Sequence, residues 1–293
     1  MRFEYAKNIS NAKYGVNIYE FDAKKSSMEQ INKIKELIYN NNIVVLKNQN
    51  LTPKEYVNLG KMFGKVETYY ESMYHHPEEK EIFVSSNINK NGKNTGVPKT
   101  GNFWHADYAF MENPFSFTLI YPRIVPKKKR GTYFIDMAEA YRNLPPELKD
   151  NVRNLTSCHS VRRYFKIRPS DVYRPICDLL EEVENKTPPA FHPATFTHPV
   201  TGETILYISE ATTYELRNAQ DHPVNRDLLQ RLLEATGQLD TTYQNPLIHM
   251  QTFSETDLII WDNRRMIHRS LHTNTPEPAE SHRITVYDEY PFC

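Results

Sequence analysis

Six short runs rich in Val, Ile, Phe, Tyr and Thr set the architecture available to this chain. They are EIFVSSN from Glu81, FTLIYPRIV from Phe117, GTYFIDM from Gly131, ETILYI from Glu203, DLIIWDN from Asp257 and HRITVYDEY from His282. Each has the length and composition of a strand, and IVVLKN from Ile43 adds a seventh. Helical patterns stand at the start of the chain and in insertions, at DMAEAYRNL, PPELKDNV and NRDLLQRLLEATG. A doubly wound parallel sheet needs strands and helices in regular alternation, and that alternation is missing. The pattern predicts a mainly β fold with flanking helices, a sandwich or jelly roll. Neither GxGxxG nor GxxxxGK[ST] occurs, and nine glycines are few for a nucleotide-cradling fold.

The two early helices carry their own punctuation. In SSMEQINKIKELIYNN a capping box runs from Ser26 to Glu29 or from Ser27 to Gln30, followed by Ile31, Ile34 and Leu37 at helical spacing. In TPKEYVNLGKMFG, Thr52 is the expected N-cap, Pro53 the first helical residue and Gly64 the stop. The 293 residues fit one large domain spanning 1–293. Lys plus Arg equals Asp plus Glu at 36 each, so no nucleic-acid partner is expected. Cys158, Cys177 and Cys293 show no CxxC spacing, which argues against a disulfide framework and a cysteine zinc site and suits a reducing compartment. MRFEYAKNIS has no apolar leader core, and no apolar run approaches a membrane span. The expectation is a cytoplasmic protein without a membrane partner; a homo-oligomer stays open.

The chemistry begins at FWHADYAF. On a strand, residues two apart share a face, so His105 and Asp107 would point at one spot. After the apolar run DLIIWDN, a polar turn delivers His268 as a third ligand. Two His and one carboxylate on one face of an ion leave about three positions open, as in non-haem iron(II) oxygenases. Zinc accepts the same set with a water. Fifteen residues further on, Arg283 is placed to hold a distant carboxylate by paired charge-assisted hydrogen bonds, although a surface Arg pairing with Asp288 or Glu289 has the same sequence. NINKNGKNTGVPKTGN, from Asn87 to Asn102, reads as a mobile loop in the position of a lid.

WHADYAF, IIWDNRRMIHRS and HRITVYDEY, in that order and spacing, resemble the taurine dioxygenase-like group of iron(II)/2-oxoglutarate oxygenases over nearly the whole chain. The resemblance implies a double-stranded β-helix, Fe(II) on His105, Asp107 and His268, and 2-oxoglutarate held by Arg283 with a contact from Thr132. Dioxygen is then the second co-substrate.

A narrower resemblance is carried by ETYYESMYHHPE, GVPKTGNFWHADYAFM, RGTYFIDM, HSVRRYFKIRPSDVYRP, THPVTGETILYISE and WDNRRMIHRSLHTNTPEP. These segments are similar to the non-haem iron isonitrile-forming enzymes, which oxidise a (3R)-3-[(carboxymethyl)amino] fatty acid to the 3-isocyano fatty acid in lipopeptide biosynthesis. By that resemblance Lys166 binds the carboxylate of the carboxymethyl arm, Tyr69 and Tyr70 line the pocket, and Arg130, Arg168 and His272 supply further polar contacts. Read on their own, Lys166, Arg168 and the KKKR turn at Lys127 to Arg130 suit a solvated surface, and Tyr69 and Tyr70 suit a core. Trp104 and Trp261 are expected to pack around the ligands. Asp262 and Asn263 either cap the turn before His268 or orient its free ring nitrogen. The rivals are a hydroxylase of a small sulfonate or amino acid and, more distantly, a zinc-binding jelly roll without catalysis.

Overall fold

The computed structural model describes residues 1–5, 15–127, 131–271 and 277–292. Arg130, His272 and Cys293 lie outside the described residues. The main sheet runs in the order Arg2–Tyr5, Val16–Tyr19, Ile43–Leu46, Leu258–Asp262, Phe117–Ile124, Glu280–Tyr287 and Lys65–Glu67, with Phe83–Ser86 also paired to Glu280–Tyr287. A second sheet holds Ile248–Thr252, Gly131–Asp136 and Met266–Ser270. The two pack through Ile43, Val45, Ile259 and Trp261 on one side and Phe134 and Met266 on the other, which is the expected jelly roll.

Period-two alternation explains why the main-sheet strands read as continuous apolar runs. Val44, Leu46, Leu119, Leu258, Ile260, Ile284 and Val286 face outward onto the helices Met28–Asn41 and Pro53–Phe63, meeting Ile31, Ile34, Ile38, Tyr56 and Phe63. The intervening residues face inward, and there Thr118 and Ile120 lie opposite Thr285 and Arg283 in register. Both helices keep their expected caps, Ser27 with Gln30 and Thr52 with Glu55. The second sheet behaves alike: Tyr133, Ile135 and Ile267 join an outer cluster, while Thr132, Phe134 and His268 share the inner face.

Three expectations need correction. His105 makes a single β-bridge and Asp107 sits in a turn, so the pair does not ride on a strand. His268 lies inside the strand Met266–Ser270, with the turn ending before it. The segment from Asn87 carries a two-stranded hairpin, Asn89–Lys90 with Lys93–Asn94, and its end is tied down where Gly101 O accepts from Ser270 N at 2.8 Å. The sequence reading also passed over the helix Ile176–Lys186 and the small sheet of Thr156–His159, Ala190–Pro193 and Thr213–Arg217. Cys158 and Cys177 are free, one buried and one exposed. No helix of the described residues is long and apolar enough to cross a membrane.

Gly64 ends its helix where the chain passes against the last strand: a Cβ there would stand 1.8 Å from the Tyr287 carbonyl oxygen. Gly64→Ala should therefore cost about 1–3 kcal/mol through forced backbone displacement, measured by denaturant unfolding, and an unchanged midpoint would contradict this packing.

Candidate metal centre

The two histidines are joined through their main chains. His105 N donates to His268 O at 3.1 Å and His268 N to His105 O at 2.8 Å, which brings the ring centroids to 4.2 Å. Asp107 completes the group from the turn that follows, where Tyr108 takes a left-handed φ of 60°. Its Oδ1 lies 3.7 Å from His105 Nε2 and its Oδ2 3.8 Å from His268 Nε2. One donor atom from each residue falls within 4.8 Å of the others, the single such group among the described residues.

Asn263 fixes Asp107 in place. Its Oδ1 accepts from Asp107 N at 2.7 Å, and its Nδ2 donates to the carbonyls of Asp107 at 2.7 Å and Phe115 at 3.2 Å. Thr118 Oγ1 donates to Asp107 Oδ2 at 2.8 Å. Asp262 holds the turn instead, accepting from Arg264 N at 2.9 Å while also bonded to His198. Neither residue reaches the free ring nitrogen of His268, which has no partner among the described residues. The capping alternative is therefore right for Asp262, and Asn263 acts on the other ligand.

Protonation states suit a cation. His105 Nδ1 lies 2.7 Å from Phe103 O; a carbonyl only accepts, so Nδ1 carries the proton and Nε2 presents a lone pair. Burial pushes both imidazoles below their ordinary value, His268 well below. Burial alone would raise the Asp107 carboxyl, but Arg283, the two imidazoles and Thr118 hold it below its ordinary value. Two neutral nitrogens and a carboxylate converge. Trp104 and Trp261 are both buried; Trp261 lies edge-on to His268 at 4.8 Å, as expected of a dry wall, whereas Trp104 packs into the outer cluster with Ile135 and Ile267.

Arg283 is no surface residue. Its guanidinium lies 4.0 Å above the Phe83 ring, donates to Asp107 Oδ1 at 2.5 Å and to Tyr108 OH at 2.9 Å, and leaves Nε without a partner among the described residues. Asp288 and Glu289 pair elsewhere, with Arg264 and Lys35. A buried guanidinium with an unspent donor beside a metal-ligand carboxylate fits the far carboxylate of a dicarboxylate co-substrate. Thr132 stands opposite Ser270, two pairs along from His268 opposite Phe134, and so on the same face.

A cavity of about 310 Å³ opens beside these groups, lined by His105, Asp107 and Arg283 together with Tyr69, Lys166 and Phe110. Tyr70 packs against Tyr69 with centroids 4.4 Å apart and lines a smaller adjoining cavity with Lys166 and Arg168. Arg168 does not line the main cavity. It is bound by both Asp171 oxygens at 2.9 Å and by Glu182 at 2.7 Å. Thr118 was missed as a positioning residue, although it is a polar residue on the inward face of an otherwise apolar strand; Asn263 was singled out, but for the turn or His268 rather than for Asp107.

A jelly roll carrying this His, Asp, His centre with Arg283 beside it defines an iron(II)- and 2-oxoglutarate-dependent dioxygenase. Residues 6–285 match the profile of the taurine catabolism dioxygenase TauD, TfdA family, and the chain belongs to that family. Among curated relatives, the alpha-ketoglutarate-dependent 2,4-dichlorophenoxyacetate dioxygenase of Cupriavidus pinatubonensis is 25% identical over 89% of this chain and 89% of its own. The pentalenolactone F synthase of Streptomyces arenae is 26% identical over 73% of this chain and 72% of its own. Of solved structures, AAD-2 in complex with Mn(II) and N-oxalylglycine superposes with a TM-score of 0.75 at 20% identity, covering 100% of both chains.

Asn263→Ala should leave the fold intact but free Asp107. We expect iron(II) affinity, titrated anaerobically, to fall roughly tenfold or more, the usual scale for losing a group that orients a ligand. Undiminished affinity would show that the clamp is dispensable.

Proposed function

We propose that the protein catalyses the four-electron oxidative decarboxylation of a (3R)-3-[(carboxymethyl)amino] fatty acid to the 3-isocyano fatty acid. The observation that carries this reading is the Lys166 ammonium, which opens onto the same cavity as His105, Asp107 and Arg283 and has no carboxylate partner among the described residues. A half-buried cation without a counter-charge suits an anionic ligand. Tyr69 and Tyr70 stand beside it as phenolic donors.

The substrate fragment is R–NH–CH2–COO⁻. Its conversion to R–N≡C and carbon dioxide releases four electrons and three protons. With iron(II) and 2-oxoglutarate bound by His105, Asp107, His268 and Arg283, the centre activates dioxygen and removes two electrons for each oxoacid consumed. The site must therefore act twice, on two 2-oxoglutarate and two dioxygen. Lys166 decides which carbon reacts: pairing with the carboxymethyl carboxylate sets its methylene toward the metal, and proximity selects the C–H bond. The curated relative named for 2,4-dichlorophenoxyacetate gives this independent support, since that acid also carries a carboxymethyl group on a heteroatom.

Incubation with iron(II), 2-oxoglutarate, oxygen and an N-carboxymethyl-3-aminoalkanoate should give an isonitrile infrared band and two succinates per isonitrile. One succinate per hydroxylated product would replace the reading with ordinary hydroxylation. Lys166→Ala should keep the visible charge-transfer band of the iron–oxoacid chelate yet lower kcat/KM about 10- to 100-fold, the scale of a lost charge-assisted hydrogen bond. Loss of iron in that variant would refute the assignment.

A further inference from the structure

The cavity is more positive than Lys166 alone explains. Lys99, Arg163, Lys166 and Arg283 all line it, and the one acid among its described lining residues is Asp107, already bonded to Arg283 and turned toward the histidines. None of Lys99, Arg163 and Lys166 has a carboxylate partner among the described residues. Lys166 Nζ donates to Lys99 O at 3.3 Å, and Arg163 Nη1 to Glu210 O at 3.3 Å. Burial and the neighbouring Lys99 charge both push the Lys166 ammonium below its ordinary value.

The nearby acids are committed elsewhere. Asp171 and Glu182 hold Arg168 and Arg174, and Glu210 faces Arg269. Arg168 is thus neutralised from two sides, whereas Lys99 and Arg163 are not. One carboxylate on Lys166 would still leave two cations unmatched at the same opening.

We propose that Lys99 and Arg163, not Arg168, bind the second carboxylate of the substrate, the fatty-acid carboxylate, while Lys166 holds the carboxymethyl arm. This rests on the functional reading above. The site then recognises a dianion at both ends: Lys166 orients the reacting arm, and Lys99 with Arg163 anchors the acid at the mouth.

The test uses two ligands with the full-length enzyme loaded with iron(II) and 2-oxoglutarate. N-Carboxymethyl-3-aminobutanoate has both carboxylates; N-sec-butylglycine lacks the fatty-acid one. Dissociation constants are measured anaerobically by calorimetry, and turnover separately. In the Lys99→Gln/Arg163→Gln variant the dicarboxylate should bind at least tenfold more weakly, with the monocarboxylate unchanged. Arg168→Gln should not alter the ratio between the two ligands, while Lys166→Ala should weaken both. Equal dicarboxylate affinity in wild type and the double variant overturns the inference, and isonitrile formation would then still uphold the functional reading. Charge-dependent binding without isonitrile keeps the inference and ends that reading. Failure of the wild type to bind the dicarboxylate overturns both.

Discussion

One buried carboxylate ties this molecule together. Asp107 is 2% exposed, and withdrawing an anion from water costs several kcal/mol unless its surroundings replace the lost hydration. Two distant parts of the chain do so, Thr118 on the central strand Phe117–Ile124 and Arg283 on Glu280–Tyr287, while Asn263, at the turn linking the two sheets, holds the Asp107 main chain. The same carboxylate faces two neutral imidazoles. A site that has already assembled an anion and two lone pairs in a water-poor pocket is organised for a divalent cation before one arrives.

The arrangement also explains why the two sheets are needed. His268 comes from the smaller sheet and Arg283 from the larger, and neither could approach Asp107 if the sheets were not packed through Trp261, Phe134 and Met266. The reciprocal main-chain bonds between His105 and His268 make the first ligand segment an extra partner of the smaller sheet. Its position therefore does not depend on the length of the segment before it. Gly101 allows that approach, since its φ is near +70° and a Cβ there would stand 2.8 Å from the Ser270 hydroxyl.

Much of this was legible in the sequence, in proportion to how local the cause is. Capping residues and Gly64 act within a few residues, and the helices follow. Apolar runs of strand length reported the main sheet because helices bury its outer face and the second sheet its inner one. The helix Ile176–Lys186 was legible too, since Ile176, Leu179, Leu180 and Val183 recur at helical spacing, although of these only Leu179 is buried. The ligand types could be read but not their backbone, since the left-handed Tyr108 turns the chain where a strand would have continued. That Lys166 and Arg168 part company could not be read locally, because a spacing of two implies a shared face only in a strand. The segment is irregular there, and the second side chain turns to acids from its own loop and the next helix. Asn263 bonds to a residue 156 positions away, beyond any local pattern.

Charge accounting around the cavity links the metal site to the choice of substrate. Iron(II) and Arg283 together bring three positive charges, and Asp107 with 2-oxoglutarate brings three negative ones, so the loaded catalytic core is neutral. The remaining cations at the opening therefore cannot be assigned to the cofactors. In a chain whose overall charge is zero they are a local excess, held apart from the acids that occupy Arg168, Arg174 and Arg269. Like charges gathered at one opening repel, with Lys99 and Arg163 exposed and Lys166 half-buried, and the fold retains them without a carboxylate partner among the described residues. A monoanionic substrate would relieve only part of that repulsion. On the proposed reading, a ligand with a carboxylate at each end would match both the half-buried Lys166 and the exposed Lys99 and Arg163.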